Sequence, residues 1–226
     1  MQRPKSVDSG DLFELAITHC FFFGLRIRFN FQDRQKITRK DRSVQIAMPK
    51  YVAFLRAINV GGHTVKMDHL RTLFEELGFA NVETLIASGN VIFDARQTKT
   101  VQLEGKIEKH LHEKLGYPVT TFIRSTTELA IISRYKPFAE SELTDKRNVL
   151  FIAFLNTSPS KEAKANLLKL RDRFADFHTN GRELYWLRRR LAEAPPLASV
   201  PLEKVLGLQM TFRNANTIMR IVSKYP

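Results

Sequence analysis

The sequence has a single cysteine, Cys20, which excludes an internal disulfide framework and a cysteine-based metal cluster. This cysteine usage fits a reducing compartment. The sequence also lacks a membrane-spanning run, because the apolar stretch Leu12 to Leu25 is too short and contains Glu14 and His19. Acidic residues are in the minority, with 23 Asp and Glu against 36 Lys and Arg, and the net charge is +13. Such a charge favours polyanions or phosphorylated ligands, and equally serves solubility alone.

Residues 1–47 differ in pattern from the rest of the chain. A secretory signal is excluded because Asp8, Asp11 and Glu14 occupy the region where positive charge belongs. An organelle transit peptide would be poor in acidic residues, a condition that this segment meets only in part. A coherent strand pattern begins at Met48. We therefore predict that Met48 is the natural start and that residues 1–47 are an extension that is disordered or not native.

A strand, helix, strand, turn, strand pattern opens the first half, residues 48–140. The apolar run Tyr51 to Ile58, broken only by Arg56, predicts a central strand that is buried on both faces. A hairpin turn is predicted at Ser88-Gly89-Asn90, where glycine and asparagine would supply positive φ angles. The other predicted elements are a helix from Met67 to Gly78, strands at Asn81 to Ala87 and Val91 to Ala95, a helix from Val101 to Leu115, a strand from Pro118 to Arg124 and a helix from Thr126 to Arg134.

The second half, residues 141–226, repeats this order. A strand is predicted at Val149 to Leu155, and Ser158 and Pro159 are predicted to open the helix that follows. The last helix is predicted to begin near Asn214 or Asn216. Between them, strands are predicted at Phe177 to Thr179 and Leu184 to Leu187, around the turn Asn180-Gly181.

Three short matches occur in the same order in both halves and indicate an internal duplication. The two members of each match have the same place in the order of strands, helices and turns. The matches are Val52 to Leu55 with Ile152 to Leu155, Phe79 to Asn81 with Phe174 to Asp176, and the Gly89 turn with the Gly181 turn. We predict an α+β fold of two ferredoxin-like halves, each of βαββα type, with subdomains at residues 48–140 and 141–226.

Four separated segments resemble the domain of unknown function family 1697. They are, in chain order, Tyr51 to Gly62, Met67 to Phe79, Ala87 to Phe93 and Thr211 to Thr217. Two positions depart from the family pattern, namely Ala57, where glycine is usual, and Met210, where a small residue is common. The resemblance implies a two-subdomain α+β fold of mostly bacterial, cytoplasmic proteins. It brings no established activity with it.

The loop Asn59 to Thr64 joins the first strand to a helix and contains Gly61 and Gly62. Paired glycines in this position allow backbone amides to face an anion at the start of a helix. A tight turn needs the same glycines, and neither a dinucleotide fingerprint nor a P-loop is present. Arg56 precedes this loop and must be paired or face a cleft. It is predicted either to form an ion pair, with Asp94 or Glu83, or to bind a phosphate or carboxylate.

Polar residues crowd the start of the last helix. Helix capping explains one of Asn214 and Asn216, but not all of the polar groups there. We predict that this segment meets the loop from Asn59 to Gly62 in one cleft, with Arg213 as a second anion contact. Ser88 to Asn90 would form a third wall, although a plain hairpin turn also explains that segment.

Arg188, Arg189 and Arg190 follow Tyr185 and Trp186. Basic and aromatic side chains together are typical of surfaces that hold single-stranded nucleic acid. Three adjacent arginines are also common at a solvated strand end, and no RNA-binding signature accompanies them.

Catalytic patterns are largely absent from the sequence. His110 and His112 are two residues apart on a helix and face different ways, while His63, Asp68 and His69 form only a loose candidate metal set. We therefore predict neither a metal nor a cofactor.

The function predicted from these patterns is binding of a phosphate-bearing ligand, either a nucleotide-like metabolite or nucleic acid. An enzyme acting on a small anionic substrate in the same cleft is the alternative, and a protein that only makes interactions is a third. A cytoplasmic location is expected, without membrane association. The predicted ligand-binding residues are Arg56, Asn59, Gly61, Gly62, Ser88, Asn90, Arg213, Asn214 and Asn216.

Overall fold

The computed structural model describes residues 48–59, 62–85, 89–96, 99–194, 196 and 200–226, all within one structural unit, Ala47–Pro226. The predictions for residues 1–47, Gly61 and Ser88 lie outside the described residues. No helix within these ranges is long and apolar enough to cross a membrane. The elements are β1 (Lys50–Leu55), α1 (Met67–Glu76), β2 (Ala80–Thr84), β3 (Asn90–Asp94), α2 (Thr100–Leu115), β4 (Thr121–Ser125), α3 (Thr126–Arg134), α4 (Glu140–Thr144), β5 (Asn148–Leu155), α5 (Lys161–Leu168), β6 (Ala175–Asn180), β7 (Glu183–Arg189), α6 (Leu202–Leu206), β8 (Met210–Asn214) and α7 (Ala215–Lys224).

The first sheet has the strand order β2-β3-β1-β4, and all neighbouring strands are antiparallel. β1 lies in its interior because its side chains are apolar on both faces, and Tyr51 to Leu55 are all buried. The prediction of a central strand is confirmed. The strand ends at Leu55 instead of Ile58, because Ala57 adopts a left-handed conformation with φ of 55°.

The second sheet has the corresponding order, β6-β7-β5-β8, and it is also antiparallel throughout. Both halves therefore follow the ferredoxin-like order of strands and helices, and the predicted fold class is confirmed. The matched sequence segments occupy equivalent places, since Ala80 and Ala175 each open the second strand of their sheet. The duplication itself stays a prediction.

Alternate residues of β1 face two different cores. Tyr51, Ala53 and Leu55 pack in a cluster with residues of α1 and α2. Val52 and Phe54 enter another cluster, to which both sheets, α3 and α7 contribute.

β5 is arranged in the same way. Ile152 and Phe154 enter the shared cluster, whereas Ala153 and Leu155 pack in a third cluster with residues of α5 and α6. Each half thus has a core of its own, and the shared cluster joins the two halves.

Two local predictions differ from the structure. At the first hairpin Gly89 takes a positive φ of 72°, whereas Asn90, which was also predicted to do so, is already part of β3. The helix predicted to open at Ser158 and Pro159 begins at Lys161, with Ser160 as its N-cap. The Ser160 hydroxyl accepts a hydrogen bond from the Ala163 amide at 3.1 Å, which explains the later start.

β4 lies at the edge of the first sheet, yet its outer amides are not open to another strand. Carboxylates accept the hydrogen bonds that a fifth strand would otherwise accept. The edge is therefore protected from pairing with a strand of another molecule. The side chains of Glu108, Glu104 and Glu128 accept hydrogen bonds from the amides of Thr121, Ile123 and Ser125 at 2.8, 2.8 and 2.7 Å, respectively.

Candidate functional site

The loop after β1 is anchored at both ends. The Asn59 side chain accepts a hydrogen bond from the Val65 amide at 2.8 Å, which bridges the loop. The Tyr117 hydroxyl donates to the Ile58 carbonyl at 3.1 Å, and burial raises the pKa of this hydroxyl. Gly62 has a φ of 88° with open space where a Cβ would lie. The predicted loop is therefore held against the end of α2 by side chains.

A cavity of about 440 Å³ lies beside this loop. We call it the glycine-loop cavity; it is lined by His63, Thr64, Val65, Lys66, His69, Lys114, Leu115 and Tyr117. Two lysines and two histidines are among these side chains, and no acidic side chain is among the described residues that line the cavity. The His63 ring stacks on Tyr117 with centroids 3.9 Å apart. This surface is therefore suited to an anion.

The start of α1 adds to the positive potential of the glycine-loop cavity. The N-cap of this helix is Lys66, whose side chain makes no capping hydrogen bond. An uncapped helix start leaves backbone amides that favour negative charge. Asp68, in the first turn, is exposed and lies 3.2 Å from Arg71.

Lys114 also forms an ion pair with a carboxylate next to the cavity. Its ammonium lies 2.8 Å from Glu76, and this contact lowers the pKa of the Glu76 carboxyl. Lys114 therefore contributes less to an anion site than Lys66 and His69 do, since both of those side chains are exposed.

Arg56 contacts a partner that the sequence did not indicate. Its Nε and Nη2 atoms donate to Glu203 of α6 at 3.1 and 2.9 Å, so the pair joins the two halves. The predicted pairing with Asp94 or Glu83 is wrong. Asp94 binds Lys50 and Glu83 binds Lys224, each at 2.6 Å.

Arg213 and Asn90 come together, as predicted, but within the protein interior. The Arg213 side chain donates to the Asn90 side chain, and to the carbonyls of Leu55 and Gly89 at 3.1 and 3.3 Å. Only 7% of Arg213 is exposed, and burial lowers its pKa to about 10. This arginine links the last strand of the second half to the end of β1.

Sequence reasoning missed Arg124, which makes the reciprocal contacts. It donates to Glu183 at 2.7 Å and to the carbonyls of Leu155 and Arg182 at 3.2 Å each. Burial lowers the pKa of Arg124, and the charge of Glu183 opposes that shift. The signal that could have found it is positional, because Arg124 and Arg213 each occupy the fourth position of the last strand in their half.

Asn214 and Asn216 lie at a different place from the glycine loop. Asn214 is the N-cap of α7, and its side chain accepts a hydrogen bond from the Asn216 amide at 2.9 Å. Both residues line a second cavity, of about 580 Å³, to which Arg56, Asn59 and Gly62 do not contribute. Among the predicted site residues that the structure describes, Asn214 and Asn216 line this second cavity, and Asn90 and Arg213 take part in the buried arginine contacts. Arg56, Asn59 and Gly62 line neither cavity. The roles of all of these residues in ligand binding stay predictions.

The interpretation of Tyr185 and Trp186 as a surface for stacking bases is wrong. Only 1% of Tyr185 and 4% of Trp186 is exposed, because both rings are part of the cores. Arg189 is bound to Glu142. Within the described ranges, no group of three or more His, Cys, Asp or Glu residues could hold a metal ion.

The fold and these cavities define an α+β protein of two ferredoxin-like halves, with a cavity lined by lysine and histidine beside the loop that follows β1. A family described as "Protein of unknown function (DUF1697)" matches residues 48–185, more than half of the chain, and the chain belongs to this family. The solved structure of a conserved bacterial protein, SP0830 from Streptococcus pneumoniae, is similar, with 24% identity and a TM-score of 0.63 over 78% of this chain and 98% of that one. That likeness shows the fold alone. No curated protein matches the chain.

Proposed function

We propose that the protein binds a small phosphate-bearing molecule, such as a nucleotide-like metabolite, in the glycine-loop cavity. The observation that carries this proposal is the set of basic side chains around an uncapped helix start. His63, Lys66 and His69 come from the loop and α1, and Lys114 from the end of α2. Helix amides and cations together are the usual means of holding phosphate.

A small molecule is favoured over nucleic acid by the aromatic side chains. Bases need exposed rings for stacking, and Tyr185 and Trp186 are buried. His63 and Tyr117, which stack on each other, are aromatic residues that line the glycine-loop cavity. The net charge of +13 supports attraction of either kind of polyanion.

An enzyme acting on a small anionic substrate is the second candidate. It is favoured by His63 and His69, because imidazoles are the commonest groups for general acid and base catalysis. Both candidates require the same bound anion, so binding is the first property to test.

Three broader inferences accompany this proposal. We infer a cytoplasmic location from the single cysteine, and subdomains at residues 48–140 and 141–226 from the two sheets. The equal strand orders and the matched segments support descent of both halves from one duplicated unit.

The test is a thermal-shift screen of phosphorylated metabolites, followed by calorimetry on any compound that stabilises the protein. A ligand at a hundred times its Kd adds about 2.7 kcal/mol to the free energy of unfolding. The variant Lys66→Gln with His69→Gln should weaken binding about tenfold or more. The control, Lys109→Gln with His112→Gln, removes the same residue types from exposed positions of α2 and should bind normally. Equal binding by both variants would refute the assignment of the site.

A further inference from the structure

We propose a second ligand site, the cavity of about 580 Å³ at the start of α7, and assign to it an amphipathic anion with a hydrocarbon body and one anionic head. We call it the α7 cavity, defined by the residues from α3, α4, β5 and α7 that line it. Its volume lies within the range of about 300–1,000 Å³ that is usual for small-molecule sites.

One part of the lining of the α7 cavity is apolar. Ile132 comes from α3, and Val149, Leu150 and Ile152 come from β5. Met219 of α7 also lines the cavity and is 56% exposed, although methionine is usually buried. A hydrocarbon body would cover this apolar surface and remove it from water, which favours binding.

The charged side chains that line the α7 cavity include two cations that could contact an anionic ligand. Lys136 is paired with Glu140 at 2.6 Å, and Asp145 with Arg147 at 2.7 Å. Two further cations, Lys146 and Arg190, line the cavity. Neither forms an ion pair within the described ranges. They can therefore bind an anionic head at the edge of the apolar surface.

The start of α7 strengthens the preference for negative charge. In the related helix α3, Glu128 completes a capping box with Ser125, so a carboxylate already occupies the helix start. The first turn of α7 contains no acidic residue, and its cap is the neutral Asn214. The positive end of the helix dipole thus acts on the cavity without a compensating charge from that turn.

The same surroundings argue against a polyphosphate. Glu140 and Asp145 both line the α7 cavity, and their carboxylates would repel a highly charged ligand. A single anionic head can contact Lys146 and Arg190 while its body avoids these acids. This requirement separates the site from the glycine-loop cavity, where no described lining residue is acidic.

Decanoate is a suitable probe, and decyltrimethylammonium, with the same chain and the opposite charge, is its control. Calorimetry should show saturable 1:1 binding of decanoate and at least tenfold weaker binding of the cation. The variant Lys146→Gln with Arg190→Gln should weaken decanoate binding at least tenfold. The control variant, Lys161→Gln with Arg220→Gln, removes the same charges from exposed positions outside the cavity and should bind as the wild type does.

Methyl-labelled methionine locates the probe by NMR. Met219 lines the α7 cavity, whereas Met67 follows the uncapped start of α1, so only the Met219 signal should shift with decanoate. The variant Lys66→Gln with His69→Gln should not change this result, which keeps the test independent of the proposed function. Absence of decanoate binding, equal binding of the cation, or unchanged affinity in Lys146→Gln with Arg190→Gln would overturn the proposal.

Discussion

Phe54 and Phe154 stack face to face where the two sheets meet, with ring centroids 4.0 Å apart and planes 6° from parallel. Each ring is also covered by an arginine of the other half. The Arg213 guanidinium lies 5.5 Å from the centre of Phe54, and that of Arg124 lies 5.4 Å from the centre of Phe154. The junction therefore repeats one arrangement twice, with Asn90 facing one arginine and Glu183 facing the other.

The side of this junction that contains Glu183 should lose more stability on removal of its arginine than the side that contains Asn90. Arg124→Met would leave a buried carboxylate without its main cation, at a cost of about 3–5 kcal/mol in the free energy of unfolding. Adding Glu183→Gln should recover part of that loss, because it removes the stranded charge. Denaturant unfolding of both single variants and the double variant measures this coupling. Strictly additive losses would show that Glu183 does not depend on Arg124.

Replacing Ala57 by glycine should stabilise the protein. Ala57 has a φ of 55°, where an L-residue with a Cβ is strained by about 1–2 kcal/mol. Glycine relieves this strain and loses some of the gain to its greater freedom in the unfolded chain, so we expect a net gain of about 0.5–1 kcal/mol. Ala165→Gly, on an exposed position of α5, is the control and should destabilise instead. Thermal unfolding distinguishes the two signs.

Gly89→Ala should be much more damaging than Gly116→Ala, although both glycines have a positive φ, of 72° and 80°. A Cβ at Gly89 would lie 2.9 Å from the Ile58 side chain and 3.2 Å from the Leu55 Cβ, whereas open space surrounds Gly116. We expect losses of about 2–4 kcal/mol at Gly89 and about 1–2 kcal/mol at Gly116. Equal losses in the free energy of unfolding, measured with denaturant, would mean that the structure relieves the close approach at Gly89 at little energetic cost.

The stability contributed by Glu104 should depend on pH. Burial raises the pKa of its carboxyl above 4.5, while the Ile123 amide opposes this shift. The folded protein then holds this proton more tightly than the unfolded chain, so stability falls as pH rises from 4.5 through the folded pKa. Glu104→Gln keeps an acceptor oxygen and removes the charge.

We therefore expect Glu104→Gln to be more stable than the wild type at about pH 7, with a smaller difference at about pH 4. Urea unfolding at both pH values tests this expectation. Glu113→Gln, on the exposed face of α2, controls for the loss of one negative charge. A difference that stays the same at both pH values would exclude burial of the charge as the cause.

Local patterns were sufficient to predict most of the fold. The helix from Thr126 to Arg134 has the predicted bounds, and the continuous apolar runs at β1 and β5 are interior strands of their sheets. The helix after β5 began two residues later than predicted, because Ser160 and Ser158 are both suitable caps and only packing distinguishes them. Short elements such as α4 carry too few residues for a periodic signal.

The candidate site was less predictable because its contacts are distant in sequence. Arg56 and Glu203 are 147 residues apart, and no local rule identifies such a partner. His63 and His69 belong to the loose candidate metal set in the sequence, but their proximity to Lys114 depends on the packing of α1 against the end of α2. The sequence predicts Arg213 as an anion contact, whereas the structure buries it. Its burial depends on the packing of one half against the other, which no local pattern indicates.

The order of Leu55, Gly89 and Arg213 along the chain bears on its synthesis. The carbonyls of Leu55 and Gly89 are synthesised 158 and 124 residues before Arg213, whose side chain binds them. Domains generally fold as units, and N-terminal parts fold first during translation. The first sheet is therefore synthesised before its buried acceptors have their donor, and the junction can close only after Arg213 has been translated.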